Sequence, residues 1–288
     1  MPELPEVETI RRDLEDLIVG LKIEKTEIKD SKINLGARQK TLKGNSILKI
    51  DRIGKLLVFE LKDGQSLLIH LKMTGQLVFC GPAKLVGGGH PFKKGSFWDN
   101  TGGVLPNKHT RFLIHFQGSK RLFFNDIRRF GYVKIVSREE KEKIFAGFGP
   151  EPLKKDFNFK NLKEALGNRK ISIKAALLNQ EIIAGIGNIY ADETLFEAGI
   201  DPGRPAGELT DEEIKKIVDS ARRVIKKAIK YRGTTFSNYL DGQGQKGNYL
   251  EKLKVYGREG EKCPKCGGKI KKTNLASRST FYCPKCQS

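Results

Sequence analysis

The 288-residue sequence predicts an α+β fold divided among several domains. Three observations carry that expectation. A helical period opens the chain and gives way to short apolar runs separated by Gly and Asp turns. Beyond a Gly- and Pro-rich stretch near residue 150 the period turns helical again. Four of the five cysteines then crowd into the last 26 residues.

The opening helix rests on Val7, Ile10, Leu14, Leu17 and Ile18, which recur at helical spacing. Pro5 suits its first turn and Gly20 its stop. Runs rich in β-branched, leucine and aromatic residues follow: Leu56 to Leu61, Leu67 to Met73, Phe112 to Phe116, Leu122 to Asn125 and Tyr132 to Val136. Turns such as Asp63-Gly64 and Gly118-Ser119 bound them, so they predict the strands of an antiparallel sandwich or barrel. The stretch from Val86 to Asn107, with its glycine clusters, has no period and reads as a long surface loop. The sequence G-F-G-P-E-P at 147 to 152 reads as a hinge. Past it, Thr210 and Glu213 form a capping box ahead of Ile214, Ile217, Val218, Ala221, Val224, Ile225 and Ala228, so the second domain is mostly helical. Residues 231 to 248 are glycine-rich and polar, a loop leading into the cysteines. No internal repeat is present.

The 54 Lys+Arg against 34 Asp+Glu leave a formal charge of +20. That excess suits a polyanion, because neutralised phosphates release counterions; the alternative is a merely basic surface. The first residues carry acids where a secretory signal carries bases, so a cytoplasmic protein is expected. No run approaches the roughly 18 apolar residues of a membrane span.

Cys263-x2-Cys266-x16-Cys283-x2-Cys286 sets two thiolate pairs on short knuckles. That is the ligand pattern of a closed tetrahedral site for one structural Zn2+, which stiffens a β-hairpin and activates no water. Paired disulfides or idle thiols are the alternatives. Residues 231 to 288 hold 12 Lys+Arg and 4 Asp+Glu, so the ribbon is expected at phosphate. Cys80 stands alone and reads as a buried apolar residue.

The start M-P-E-L-P-E-V-E-T resembles that of the formamidopyrimidine-DNA glycosylases. The resemblance runs nearly end to end through G-K-L-L-V-F-E-L at 54 to 61, H-L-K-M-T-G at 70 to 75, N-D-I-R-R-F-G at 125 to 131, G-I-G-N-I-Y-A-D-E-T-L-F at 185 to 196 and L-K-V-Y-G-R-E-G at 253 to 260. It implies an N-terminal catalytic β-sandwich domain over 1–146, a hinge over 147–155, a helix-two-turn-helix domain with a lesion-capping loop over 156–250, and a zinc-ribbon finger over 251–288. It further implies a bifunctional glycosylase and AP lyase, expected as a monomer on double-stranded DNA, that excises 8-oxoguanine and formamidopyrimidines.

The nucleophile of that family is a terminal proline. Pro2 takes this role once Met1 is removed, since its nitrogen is then an amine and not an amide. An α-amino group titrates near 7.7 to 8, so a useful fraction is neutral at working pH. Its attack on the sugar carbon gives an iminium, an electron sink for strand cleavage. The resemblance gives Glu3 the general-acid and proton-shuttle work and Glu6 a supporting place; otherwise the two are acids at a helix start. Lys55 matches a lysine that protonates or binds phosphate near the lesion, and Arg278 one linked to the second elimination. Met73, Arg128 and Phe130 match the side chains that fill the void left by a flipped nucleotide, with Arg128 facing the estranged cytosine. His109, Lys170 and Lys174 fall on DNA-contact positions. Gly185 to Asn188 reads as the tight turn of a helix-two-turn-helix, where Asn188 and backbone amides hold a phosphate. The other three histidines fit no catalytic or metal spacing.

Two rival readings share these features. An endonuclease VIII-like enzyme uses the same fold and proline chemistry on oxidised pyrimidines, and a non-catalytic zinc-ribbon protein binds DNA without cutting it. The P-E-L-P-E start and the Arg128–Phe130 wedge favour purines, and a binder need keep none of Pro2, Glu3, Lys55 and Arg278. Two departures from the family pattern stand out: the loop at 81 to 108 is long, and Arg232 replaces the first glycine of the usual G-G-T-T.

Overall fold

The computed structural model describes the chain except residues 83, 91, 93–96, 235–238 and 241–248, and gives only the backbone of 97, 100, 239 and 240. It forms two compact units, residues 1–145 with 231–248, and residues 146–230 with 249–288.

The first unit opens with helix α1 (Leu4–Ile18), which turns Leu4, Val7, Ile10, Leu14 and Ile18 inward. Each such side chain contributes about 1.5–3 kcal/mol on full burial. Nine antiparallel strands follow in this unit: β1 (Ile23–Ile28), β2 (Ile47–Ile53), β3 (Leu56–Leu61), β4 (Ser66–His70), β5 (Gly75–Cys80), β6 (Leu85–Gly89), β7 (Thr110–Phe116), β8 (Lys120–Asp126) and β9 (Tyr132–Val136). A tenth, β10 (Tyr239–Leu240), returns late in the chain. Short helices α2 (Gln39–Leu42), α3 (Phe97–Thr101) and α4 (Arg138–Ala146) connect or follow them.

The strands make two sheets, ordered β1-β7-β8-β5-β6-β10 and β2-β3-β4-β9, so a sandwich forms and not a barrel. Alternate residues of both sheets, among them Phe59, Leu67, Ile69, Leu77, Phe112, Ile114 and Phe124, join α1 in one buried cluster.

The surface loop expected from Val86 to Asn107 is corrected in part. Leu85–Gly89 is a full strand pairing with β5 and β10, and α3 lies further along. Its glycines explain why no period betrays it. A Cβ on Gly88 would sit 2.4 Å from the Ile10 side chain, so the bare backbone is what lets β6 lie against α1.

The second unit holds α5 (Phe159–Leu166), α6 (Ile173–Leu178), α7 (Asn188–Ala198) and α8 (Asp211–Lys230). The capping box at α8 is present: Thr210 N–H donates to Glu213 at 2.8 Å and Glu213 N–H to the Thr210 hydroxyl at 3.3 Å. The ribbon hairpin pairs β11 (Lys271–Leu275) with β12 (Arg278–Tyr282). Its turn residues Ala276 and Ser277 both have positive φ, the two-residue geometry that matches strand twist. No helix among the described residues is long and apolar enough to cross a membrane.

Candidate active site and phosphate-binding elements

Pro2 is buried at the head of α1, and Glu3 and Glu6 are buried beside it. Glu3 N–H donates to Glu6 Oε2 at 2.9 Å. The other Glu6 oxygen accepts from the Thr234 N–H at 2.7 Å and from its hydroxyl at 3.1 Å. One carboxylate thus ties the residue after Pro2 to the segment that returns from 228 positions away.

Arg232 explains its own departure from glycine. Its φ is +64°, in the left-handed region, and its guanidinium makes bonds of 2.8 and 2.7 Å to the Asp13 carboxylate on α1. The ion pair offsets a backbone cost that glycine avoids. The next residue must stay glycine, because a Cβ on Gly233 would stand 2.5 Å from Glu6 Oε1. Beyond Thr234 and the backbone of β10, the expected capping loop lies outside the described residues.

Lys55 is buried on the turn between β2 and β3. The sequence did not reveal what holds that turn. Arg52 Nη1 donates to the Gly54 carbonyl at 2.8 Å, and Arg52 Nε to Glu8 of α1 at 3.1 Å. Burial works against the Glu8 charge, but bonds from Arg11 and Arg12 and the charge of Arg52 outweigh it and hold the carboxyl below its ordinary value. The helix that carries Pro2 and the turn that carries Lys55 are therefore pinned together.

Asp126, fully buried, gathers the expected void fillers. Its carboxylate accepts from the Thr74 hydroxyl, from Arg128 N–H at 3.2 Å and from Gly131 N–H at 2.7 Å, while its own N–H donates to the His109 carbonyl at 2.9 Å. Met73 stays 38% exposed and Phe130 51%, unlike core residues. The Arg128 guanidinium lies 4.7 Å from the Phe130 ring centre. The neighbouring Arg129 turns away to Asp30 at 2.7 Å. The half-buried His109 ring packs on Phe92 at 4.7 Å, and burial, then Lys108 and Arg111, lower its pKa.

His90, which fitted no spacing, also belongs to this region. Its N–H donates to the Gly75 carbonyl at 3.2 Å. Its pKa is lowered by burial and then by the charge of the chain's amino terminus, while Asp126 pulls the other way.

In the second unit, Gln180 brackets the turn before α7. It accepts from Gly185 N–H at 2.9 Å and donates to the Ile186 carbonyl at 2.9 Å, with Gly185 at positive φ. Asn188 opens α7, and its side-chain amide donates to the Ser279 carbonyl at 2.9 Å. Lys170 is exposed ahead of α6, and Arg278 is exposed at the start of β12.

Lys174 corrects an expectation. It is 0% exposed and its ammonium stands 2.6 Å from the Asp192 carboxylate, so it is an internal ion pair and not a DNA contact. Asp192 gave no sign in the sequence, since an acid on a helix reads as solvated.

The sulfurs of Cys263, Cys266, Cys283 and Cys286 all lie within 4.8 Å of one another, with Cys266–Cys283 at 3.5 Å and Cys263–Cys286 at 3.8 Å. A tetrahedron of Zn–S bonds near 2.3 Å has edges of about 3.8 Å, so the four thiolates fit one structural zinc. Cys80 is buried at the end of β5, with its thiol pushed up to about 11 by burial.

Residues 1–133 match the formamidopyrimidine-DNA glycosylase N-terminal domain, 148–239 the helix-two-turn-helix domain of the same enzymes, and 260–288 a zinc finger found in these glycosylases and in an isoleucyl-tRNA synthetase. Fold and site define a DNA-repair glycosylase that binds DNA and carries a zinc finger. A curated formamidopyrimidine-DNA glycosylase from Desulfitobacterium hafniense (strain DSM 10664 / DCB-2) is 41% identical over 293 residues, with all of both chains covered. One from Pelotomaculum thermopropionicum is 41% identical, covering 100% of this chain and 99% of the relative. The solved complex of a Lactococcus lactis Fpg variant with Fapy-dG-containing DNA superposes with a TM-score of 0.85 at 35% identity over 100% of both chains. The Lactococcus lactis complex with abasic-site DNA gives the same TM-score and identity over 99% of each. The chain belongs to the formamidopyrimidine-DNA glycosylase family.

Proposed function

We propose that this protein excises 8-oxoguanine and formamidopyrimidines from duplex DNA and then cleaves the strand by β,δ-elimination. The observation that carries the reading is Pro2 buried at the head of α1 beside two buried carboxylates, one of which bonds the backbone next to it. With Met1 removed, the Pro2 amine attacks the sugar carbon bearing the flipped base. The base leaves, Glu3 protonates the ring oxygen as the sugar opens, and the nitrogen becomes part of an iminium. The iminium acidifies the adjacent C–H, so the 3′ phosphate is expelled first and the 5′ phosphate second. Glu6 holds the Glu3 backbone. Lys55 binds phosphate near the lesion, and Arg278 serves the second elimination. Met73, Arg128 and Phe130 fill the void, with Arg128 toward the estranged cytosine. Lys170 and Asn188 bind backbone phosphate, and the zinc keeps the ribbon folded. The kinship with formamidopyrimidine-DNA glycosylases, and the Fapy-dG in the Lactococcus lactis complex, support a damaged-purine substrate.

The test is borohydride trapping on a duplex with one 8-oxoguanine opposite cytosine, using protein whose N-terminus has been verified. The expected result is a covalent adduct whose DNA-linked peptide starts at Pro2, absent with undamaged duplex. An adduct only with oxidised pyrimidine would move the enzyme to the endonuclease VIII-like class. No adduct with either, in zinc-loaded protein lacking Met1, would leave a DNA-binding protein without this chemistry.

A further inference from the structure

The second unit buries an ion pair that takes no part in the chemistry above. Lys174 on α6 and Asp192 on α7 meet at 2.6 Å with neither side chain exposed. Both also reach β12. Lys174 Nζ donates to the Ser279 carbonyl at 3.0 Å and to the Thr280 hydroxyl at 2.8 Å, and Asp192 Oδ2 accepts the Phe281 N–H at 2.9 Å. The Thr280 hydroxyl in turn donates to the Arg278 carbonyl at 3.2 Å. Asn188 adds a bond to the same Ser279 carbonyl. Three successive residues of β12 are gripped directly after Arg278, whose side chain remains exposed.

An ion pair is a poor means of mere stabilisation here, since desolvation offsets much of its attraction and an apolar pair of similar volume often does as well or better. What an apolar pair lacks is direction. Charge-assisted bonds to a carbonyl, a hydroxyl and an amide in sequence fix where the strand lies along its length. We propose that Lys174 and Asp192 are positioning residues that lock Arg278 and Asn188 into one rigid phosphate clamp. This rests on the role given to Arg278 above.

The full-length, zinc-loaded protein carrying Lys174→Met and Asp192→Leu together tests it. Its zinc content and its rate of adduct trapping stay at the parental level. On abasic duplex it accumulates the β-elimination product and passes to the β,δ product about tenfold more slowly, on the order of one misplaced transition-state contact. In an Arg278→Ala background the same pair adds nothing further, because both changes remove one effect. A parental product ratio in the folded pair variant overturns the proposal, as does full additivity with Arg278→Ala. Thr280→Val removes only the hydroxyl between Lys174 and the Arg278 carbonyl. It shifts the same ratio by roughly two- to threefold, the scale of one weak hydrogen bond, and an unshifted ratio overturns the proposal even if the pair variant fails to fold. If Arg278→Ala alone leaves the ratio untouched, the role of Arg278 is what has failed and the clamp falls with it. That result is distinct from a defective Arg278→Ala beside a parental pair variant.

Discussion

Glu6→Gln isolates what a buried carboxylate does beside Pro2, the proposed nucleophile. In the parent, Glu6 Oε2 takes the Glu3 N–H at 2.9 Å while Oε1 takes the Thr234 N–H at 2.7 Å and hydroxyl at 3.1 Å. Glutamine keeps the shape but offers one acceptor oxygen, so a backbone N–H must face an NH2 group. Thr234 presents two donors and keeps the oxygen, and the loss falls on Glu3, one residue from Pro2. A bond to a charged acceptor contributes about 1.5–3 kcal/mol, and a stranded buried donor costs about 1–3 kcal/mol. Because these overlap, about 3 kcal/mol is the expected total. Felt at the nucleophile, it slows adduct formation roughly a hundredfold. Single-turnover borohydride trapping on 8-oxoguanine duplex reads this directly, with urea unfolding alongside. A trapping rate within about twofold of parent in a protein destabilised by about 3 kcal/mol would refute the reasoning, since the bond would then serve folding alone.

Asp126→Ala strands the Thr74 hydroxyl proton and the Gly131 N–H and leaves the Arg128 N–H only its bond to the Thr74 hydroxyl oxygen; titrations should show lesion and undamaged duplex bound with converging affinity, and an unchanged ratio would count against Asp126 as organiser of the wedge. His70 is held down to about 3 by burial and by the charges of Lys72 and Lys55, below its ordinary 6.5. Between those values the unfolded chain takes up a proton that the folded chain refuses, so this stability is complete above pH 6.5 and is lost as pH falls toward 3. His70→Asn flattens that part of the urea stability profile, and a profile of parental slope would exclude His70 as its source. Removing zinc with a chelator loosens the β11–β12 hairpin, because the metal's bonds to four sulfurs are lost and only a small apolar cluster around Val255, Ile270 and Phe281 then holds the ribbon. Loss of amide protection in 271–282 checks it, and persistent protection in metal-free protein would contradict it.

Helices α1 and α8 were legible because their apolar stripes are wide and unbroken, and the zinc ligands because their spacing is itself coordination chemistry. Strands β1 and β2 were not, since their outward positions carry charges such as Lys25, Glu27, Lys49 and Asp51, which pair at the surface and blur the alternation. Strand β6 hid because glycine carries no pattern. Pro2, Glu3, Glu6 and the expected void fillers were singled out through family resemblance; no local spacing marks them. The groups that hold them escaped because their partners are distant in sequence: Arg52 and Glu8 by 44 residues, Thr74 and Asp126 by 52, Asp192 and Phe281 by 89. Lys174 was misplaced for the same reason, since its burial follows from Asp192 and not from its own neighbours.

The bond from Thr234 to Glu6 closes a loop of 228 residues inside the first unit, and the second unit's first segment, residues 146–230, is strung within that loop. On a ribosome, most of the sandwich can assemble early, but the carboxylate beside Pro2 waits for its partner until four-fifths of the protein has been made. Closing so long a loop adds little to the equilibrium cost, because that cost rises only with the logarithm of length. Its effect is on timing: pairings of such high sequence separation form slowly and late. The surroundings of Pro2 are therefore among the last parts of the molecule to mature, and in refolding from urea the recovery of adduct-forming activity should lag behind the recovery of β-sheet signal.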